Sequence, residues 1–177
     1  MKEREKDSSR KGKRDDLGIQ LLLLVLKIVL LAGFLFILFG VLFSVTLVKD
    51  DSMKPSIREG DIVISYRLKK DYAKDQVILV DYEGVRQVRR VLAVGGDTVD
   101  ITDKGLMLNG SLQIEPNIYT QTLPFTEGVT FPLTVGEGQV FVLGDNRPYA
   151  QDSRIYGTVD KKATLGAVFT VIRRRGF

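Results

Sequence analysis

The sequence predicts a mainly β domain, with a barrel-like, coiled sheet, behind one N-terminal transmembrane helix. Three observations predict this architecture: a long uncharged segment near the start, a series of short β-branched segments after it, and an Asn-Gly pair between two alternating runs. The 177 residues suffice for one domain of ordinary size and an appendage. The expected organisation is a basic cytoplasmic N-terminus over 1–20, a transmembrane helix over 21–48 and an extracellular β-rich domain over 49–177.

The uncharged segment runs for 21 residues, from Ile28 to Val48. At about 1.5 Å of rise per residue, a helix of this length covers roughly 30 Å, which is the thickness of a hydrocarbon core. Leu21–Leu26 extends the segment, and Lys27 between them can extend its ammonium toward the headgroups. The basic residues that precede the segment favour a cytoplasmic N-terminus. The sequence therefore predicts a single-pass protein of the plasma membrane whose main domain lies outside the cell.

The segments after Lys49 are rich in β-branched residues and are bounded by Gly, Asp or Lys. Strands are predicted at residues 61–68, 76–82, 85–94, 97–102, 106–114, 139–145 and 166–173. Within 106–114, Asn109-Gly110 favours a tight hairpin turn. Residues 115–138 carry three prolines and three glycines, so we expect a long surface connection with one possible strand. Residues 161–166 have weak helical character.

Composition excludes several classes of function. The formal net charge is +4, but the N-terminal 16 residues and the closing Arg173–Arg175 account for the excess, and the remainder holds 16 basic and 17 acidic residues. The folded part therefore has no concentrated basic surface for a nucleic acid. The chain has no cysteine, so disulfides and thiolate chemistry are excluded. It has no histidine either, which removes Ser-His-Asp catalysis and the commonest metal ligand, and we expect neither a metal nor a cofactor.

Three motifs hold the residue types of a chemical site. They are Ser52-Met53-Lys54-Pro55 with the following Gly60-Asp61, the pair Arg89-Arg90 that leads to Gly95-Gly96-Asp97, and the loop Leu143–Gly157. Taken singly, each motif is typical of an ordinary turn between strands. Their order behind one apolar segment is more specific than any of them alone.

In this order, the motifs resemble those of the type I signal peptidases, in particular the short Gram-positive bacterial kind. The resemblance covers nearly the whole chain, and the residues that match its last motif are Asp145, Asn146, Arg147, Asp152, Ser153, Arg154 and Gly157. It implies a largely β fold and a serine endopeptidase whose Ser/Lys dyad removes signal peptides from exported preproteins at the outer membrane face.

The resemblance also implies roles for individual residues. Ser52 occupies the nucleophile position, and Met53 packs at its side. The strand around Ile62, Val63 and Ile64 helps to line shallow pockets for small side chains, and the substrate is added there as an extra strand.

The lysine of the implied dyad is missing from this sequence. Counting back from Asp97, the lysine position is Arg89, and no lysine lies between Lys74 and Lys104. A guanidinium has a pKa above about 12 and carries donors but no acceptor, so it cannot take the proton of a serine. Because histidine is also absent, the sequence contains no conventional base for Ser52.

Two further departures fall at the same place. Asp50 stands where the resemblance implies a Gly or Ser near the oxyanion hole, and Ala150 stands where it implies a serine that holds the lysine. A carboxylate near a developing oxyanion would repel it. We expect a charged Arg89 to pair with Asp50, or otherwise with Asp51, because a buried guanidinium without a partner is unfavourable. The alternative is that Arg89 turns out to solvent.

Two functions remain open at this point. The first is a membrane-anchored signal peptidase whose activity is weak or absent because its dyad lysine is Arg89. The second is a non-proteolytic assembly factor or chaperone that grips exported surface proteins in the substrate cleft. The resemblance supports the second, because family members without the dyad are associated with pilus assembly in Gram-positive bacteria. The expected partners are the membrane and exported preproteins or pilus subunits, and no nucleic acid.

Overall fold

A computed structural model describes residues 2–116 and 118–174, with side chains from Leu17 onward. Met1, Asn117 and residues 175–177, which include the end of the basic C-terminal run, lie outside the described residues. The chain separates into two compact units, the first ending at Val41 and the second beginning at Leu42.

The described residues of the first unit form a helix, α1 (Lys2–Leu42). Its segment Leu17–Leu42 has 26 residues and is long and apolar enough to cross a membrane, and no residue in its apolar window is buried in the protein. Hydrophobic side chains on every face are expected where lipid surrounds a helix.

The predicted transmembrane range 21–48 is too long at its C-terminal end. The helix stops at Leu42, and the next five residues, Phe43–Leu47, form a strand. This strand pairs with Ile62–Tyr66, which follows the Ser52 motif. The apolar run therefore contributes its last residues to the second unit.

The second unit is mainly β, as the sequence predicts. Its described strands, in chain order, are β1 (Phe43–Leu47), β2 (Ile62–Tyr66), β3 (Val77–Tyr82), β4 (Val85–Val94), β5 (Thr98–Thr102), β6 (Gly105–Leu108), β7 (Ser111–Leu112), β8 (Leu133–Thr134), β9 (Gln139–Leu143), β10 (Val159–Asp160) and β11 (Thr164–Ile172). They form one antiparallel sheet in the order β1-β2-β11-β3-β4-β9-β10 and a smaller antiparallel sheet in the order β7-β6-β5-β8. A short helix, α2 (Ser153–Tyr156), and a 3₁₀ turn (Lys161–Ala163) complete the unit.

Strand β4 coincides with the predicted segment 85–94 at both ends. The predicted hairpin turn is present between β6 and β7, where Asn109 and Gly110 both adopt positive φ angles of 51° and 77°. In the predicted connection 115–138, the described residues contain the short strand β8 alone. Strands β1 and β10 and helix α2 were not predicted.

Apolar side chains of the second unit pack into clusters, one of which lies around the Ser52 motif. Its buried members are Val48, Met53, Ile57, Val63, Leu79 and Val88. Burying one such side chain stabilises a fold by about 1.5–3 kcal/mol. Because Val48 and Met53 flank Ser52 in sequence and are both buried, the cluster fixes the backbone on each side of the serine.

Candidate active site

Ser52 lies in the turn that follows β1 and is 3% exposed. The loop Leu143–Gly157 holds this turn from the other side. The backbone N–H of Asn146 donates to the carbonyl of Ser52 at 2.9 Å, and its side-chain Nδ2 donates to the carbonyl of Asp51 at 3.0 Å. One residue therefore anchors two successive carbonyls at the serine.

The approach of the loop to Ser52 depends on Gly144. A Cβ atom at this position would lie 2.7 Å from the Ser52 carbonyl oxygen and 2.3 Å from the Cβ of Ala150. Only glycine leaves room for both neighbours without a shift of the backbone.

Buried charges make the loop rigid. Arg154 donates two hydrogen bonds to the Asp152 carboxylate, from Nε at 2.8 Å and from Nη2 at 2.9 Å, and both residues are at most 2% exposed. Asp152 also accepts from the Gly144 amide at 3.0 Å, and the Ser153 hydroxyl accepts from the amide of Val142 at 2.9 Å. The carboxylate thus ties the two ends of the loop together.

Two more ion pairs extend outward from the loop. Arg90 makes a two-pronged contact with Asp145, from Nε at 2.8 Å and from Nη2 at 2.6 Å, and this contact raises the pKa of Arg90. Arg147 pairs with Glu115 at 2.5 Å and donates from Nε to the Gly144 carbonyl at 2.9 Å. The last motif of the sequence is therefore a network that positions the backbone around Ser52.

Arg89 lies on β4 and is 1% exposed. Its Nε and Nη2 donate to the carbonyl of Gln151 at 3.0 Å and 2.7 Å. Its Nη1 donates to the carbonyl of Val88 at 2.6 Å and to the Oγ of Ser52 at 2.7 Å. The guanidinium is thus held in place by neutral oxygens and points at the serine.

The predicted ion pair between Arg89 and Asp50 or Asp51 is wrong. Among the described side chains, Asp50 makes no direct contact with the Arg89 guanidinium. Ser52 lies between them: its hydroxyl donates to Asp50 Oδ1 at 2.6 Å and accepts from Arg89. Asp51 instead pairs with Lys54 at 2.7 Å, and this contact lowers the pKa of the Asp51 carboxyl. Arg89 is not turned to solvent either, because two backbone carbonyls supply the acceptors that the sequence-based argument assigned to a carboxylate.

The Asp50 side chain also accepts a hydrogen bond from the backbone amide of Ser52. Its Oδ1 accepts from the Ser52 N–H at 3.1 Å as well as from the Ser52 hydroxyl. In serine peptidases, the amide of the nucleophile is a usual donor to the oxyanion. A carboxylate oxygen of Asp50 therefore stands where such an oxyanion would be bound.

Tyr156 is another buried group close to the guanidinium. Burial raises the pKa of its phenol, although the positive charge of Arg89 opposes the shift. A phenol with a raised pKa stays protonated at neutral pH, so Tyr156 does not replace the missing lysine as a base.

A groove of about 470 Å³ leads to the serine turn. One wall is formed by Val45–Asp50, and the other by Gly84–Arg86 together with Val88. The first wall is formed by β1, which is the edge strand of its sheet. The second wall is the start of β4, which has no partner on this side because β9 pairs with β4 only from Arg90 onward. Both walls therefore have unpaired backbone groups within the described chain.

The predicted site of strand addition at Ile62–Ile64 is wrong. Strand β2 pairs with β1 on one side and with β11 on the other, so neither of its edges is free. Val63 and Met53 have no exposed surface and pack in the cluster beneath the serine, and Ile62 and Ile64 do not line the groove. The prediction had no strand β1 to pair with β2, because it assigned Phe43–Leu47 to the transmembrane helix.

Fold and site together define a serine-peptidase scaffold. A profile of the family described as "Signal peptidase, peptidase S26" matches residues 20–172. The chain therefore belongs to the signal peptidase family.

Two bacterial relatives agree with this assignment in sequence. Signal peptidase I of Bacillus licheniformis is 32% identical over 138 residues, which cover 71% of this chain and 74% of the relative. Signal peptidase I of Bacillus amyloliquefaciens is 28% identical, with 94% and 91% covered. A crystal structure of a signal peptidase I from Enterococcus faecalis is 28% identical, covers 55% of this chain and 96% of its own, and superposes with a TM-score of 0.46.

Proposed function

We propose that this protein is a membrane-anchored, signal-peptidase-type protein that binds exported preproteins outside the cell. Its ability to cleave their signal peptides is weak or absent. The observation that carries the proposal is the contact of Ser52 Oγ with Arg89 Nη1 at 2.7 Å. Arg89 stands at the lysine position that the family resemblance implies, and it can only donate to the serine oxygen and cannot take its proton. A positioned general base contributes roughly 10²–10⁴-fold to a rate, and that contribution is absent here.

Asp50 does not restore the missing step. The same Asp50 Oδ1 accepts from both the hydroxyl and the backbone amide of Ser52. In this position it prevents a substrate carbonyl from accepting the amide hydrogen bond. Asp50 is exposed and can turn out of the site, but the hydroxyl then loses its acceptor. The carboxylate cannot hold the proton and free the amide at the same time.

The groove supports binding. Its two walls offer unpaired strand edges, and an extended segment laid between them would form backbone hydrogen bonds on both sides. Signal peptides and the residues after them are extended segments of this kind, and the proposed client is therefore the signal-peptide region of an exported preprotein. The apolar helix ends at Leu42, so only Phe43 and Ser44 separate it in sequence from the groove.

A second candidate function follows from the same geometry. The groove is open while the serine hydroxyl is held on two sides, which suits a protein that retains its client without cutting it. A non-proteolytic assembly factor or chaperone for surface proteins would work in this way, and pilus subunits are the clients implied by the family resemblance.

The test is cleavage of a preprotein by the full-length protein in detergent. Four forms are compared: the unmodified protein, Ser52→Ala, Arg89→Lys, and Asp50→Ser combined with Arg89→Lys. We expect the first two to be equally inactive and the double variant to cleave at a rate that rises with pH, since a lysine must lose its proton to act as a base. Arg58→Lys, which adds a lysine at an exposed position, is the control and is expected to stay inactive.

Robust cleavage by the unmodified protein that disappears in Ser52→Ala would overturn the proposal of weak or absent hydrolysis. If instead the double variant remains inactive although it binds preprotein, more than the base was lost, and the assembly-factor function is favoured.

A further inference from the structure

The contacts of the Asp50 carboxylate indicate what kind of group the serine site binds. Its Oδ1 accepts from the backbone N–H of Ser52 at 3.1 Å and from the Ser52 hydroxyl at 2.6 Å. Asp50 is exposed and lines the groove, so its side chain can turn into solvent and uncover both donors. The end of the groove is therefore a place where two converging donors hold a displaceable carboxylate oxygen.

A buried positive charge lies behind these donors. The guanidinium of Arg89 is 1% exposed and donates to Ser52 Oγ at 2.7 Å, and its other acceptors are the neutral carbonyls of Val88 and Gln151. Among the described residues, Arg89 takes part in none of the ion pairs. A buried charge without a counter-charge is unfavourable, so an anion bound at the Ser52 hydroxyl gains stability from the charge behind it.

The groove can deliver only one kind of main-chain anion to this place. An extended segment laid along β1 reaches Ser52 at one of its ends, and a C-terminal carboxylate there repeats the contacts of the Asp50 side chain. An N-terminal ammonium would instead face two donors and the charge of Arg89. A segment that continues past Ser52 offers a neutral carbonyl, which is a weaker acceptor than a carboxylate.

We propose that the groove binds peptides that end in a free C-terminal carboxylate, and that this carboxylate replaces the side chain of Asp50 at Ser52. This inference rests on the proposed binding function and names the form of the client that is held most tightly. Capture of a C-terminal carboxylate by backbone N–H groups is an established mode of peptide recognition. Asp50 is then an internal competitor, which occupies the site in the empty groove and yields to a peptide terminus.

This chemistry places the protein after a cleavage reaction. Hydrolysis of a peptide bond leaves a new carboxylate on the N-terminal fragment and a new ammonium on the other. In an exported preprotein, the N-terminal fragment is the signal-peptide portion, which is the region assigned to the groove above. A separate peptidase would supply the ligand, and this protein would retain the released fragment without making or breaking a bond.

The test measures the affinity of the full-length protein in detergent for two fluorescent peptides. Both have the same alanine-rich sequence and the same N-terminal label, but the acid peptide ends in a free carboxylate and the amide peptide ends in a carboxamide. We expect the acid peptide to bind about tenfold more tightly, which corresponds to roughly 1.4 kcal/mol. Equal affinities, or tighter binding of the amide peptide, would overturn the inference and leave the binding function standing.

Asp50→Ser is the decisive variant, because Asp50 is exposed and its replacement does not open a cavity. Without the internal competitor, the acid peptide should bind about tenfold more tightly still, and the amide peptide should gain less. The matched control is Asp51→Ser, which removes the next carboxylate along the chain, one that pairs with Lys54 instead. An equal gain in the control, or no gain in Asp50→Ser, would mean that the peptide carboxylate does not compete for the Asp50 position, and the inference would fail.

Further variants separate the serine site from the other cations of the groove. Ser52→Ala should lose most of the preference for the acid peptide, because only the backbone N–H remains as a donor. Lys49→Gln and Arg86→Gln, which remove the exposed cations of the groove walls, should keep the preference. A preference that disappears in either of these two variants, or that survives in full in Ser52→Ala, would overturn the inference.

The proposed function and the inference fail in different ways. If both peptides bind without discrimination, the groove is a general site for extended segments, and only the inference is lost. If neither peptide binds to the unmodified protein or to Asp50→Ser, the proposed binding function fails and the inference fails with it.

Discussion

A serine hydroxyl has one hydrogen to donate, and in this protein that hydrogen lies toward Asp50 while Arg89 donates to the same oxygen. The guanidinium is fully surrounded, whereas Asp50 is exposed. The two charges therefore contribute unequally to stability. Arg89 is a fixed structural group that satisfies backbone carbonyls, and Asp50 is a displaceable one.

This inequality can be tested at the level of single residues. Asp50→Asn should lower the free energy of unfolding by less than about 1 kcal/mol, because an exposed charge contributes little. Arg89→Ala should lower it by about 3 kcal/mol or more, because the carbonyls of Val88 and Gln151 are left unpaired in a buried site. Urea unfolding of both variants in the same detergent provides the comparison. Equal losses would contradict the assignment of Arg89 as the structural partner of these carbonyls.

At the scale of elements, the loop Leu143–Gly157 and the Ser52 turn behave as one unit. Asp152 is fully buried, pairs with Arg154 and accepts from the Gly144 amide. Asp152→Asn should cost about 3–5 kcal/mol, because it leaves a buried guanidinium without its counter-charge. The matched control is Asp71→Asn, which removes a fully exposed carboxylate 3.7 Å from Lys161 and should leave stability nearly unchanged, because solvent screens such a pair.

Thermal unfolding followed by circular dichroism distinguishes the two aspartates. A similar Tm for Asp152→Asn and Asp71→Asn would show that the buried pair does not hold the loop. A selective fall in the Tm of Asp152→Asn, accompanied by weaker peptide binding, would show that the loop also positions the groove.

The elements differ in how far the sequence predicts them. Both ends of strand β4 were predicted, because turn-forming residues bound its β-branched segment in the sequence itself: Gly84 precedes it, and Gly95-Gly96-Asp97 follows it. Strand β1 could not be predicted, because Phe43–Leu47 has the composition of the apolar helix before it and becomes a strand only by pairing with β2. Such pairing is a long-range property, and a local pattern does not contain it.

The same limit applies to the site. The motifs placed Ser52, Arg89 and Asp50 in one region, because the family resemblance aligned them. The sequence did not reveal that the Arg89 guanidinium would be satisfied by the Gln151 carbonyl, since a backbone oxygen has no residue-type signature. The groove walls were missed for a similar reason, as free strand edges depend on which strands pair elsewhere.

At the scale of the whole molecule, the proposed function requires the second unit to lie outside the cell. The basic residues before the apolar helix predict a cytoplasmic N-terminus, because lysine and arginine are retained on the cytoplasmic side. The chain contains no cysteine, so a single introduced thiol reports its own location without any background from the protein. Two serines suit this purpose: Ser9, in the basic N-terminal segment, and Ser111, which is exposed on β7.

We expect a membrane-impermeant maleimide to label Ser111→Cys but not Ser9→Cys in intact cells, and to label both after the cells are permeabilised. The unmodified protein is the control and should remain unlabelled in both conditions, since it has no thiol. Labelling of Ser9→Cys alone in intact cells would invert the topology and place the groove in the cytoplasm, where a client could be met only before export. Labelling of both in intact cells would mean that the apolar segment Leu17–Leu42 does not separate the two units across a bilayer, and the anchored arrangement would have to be abandoned.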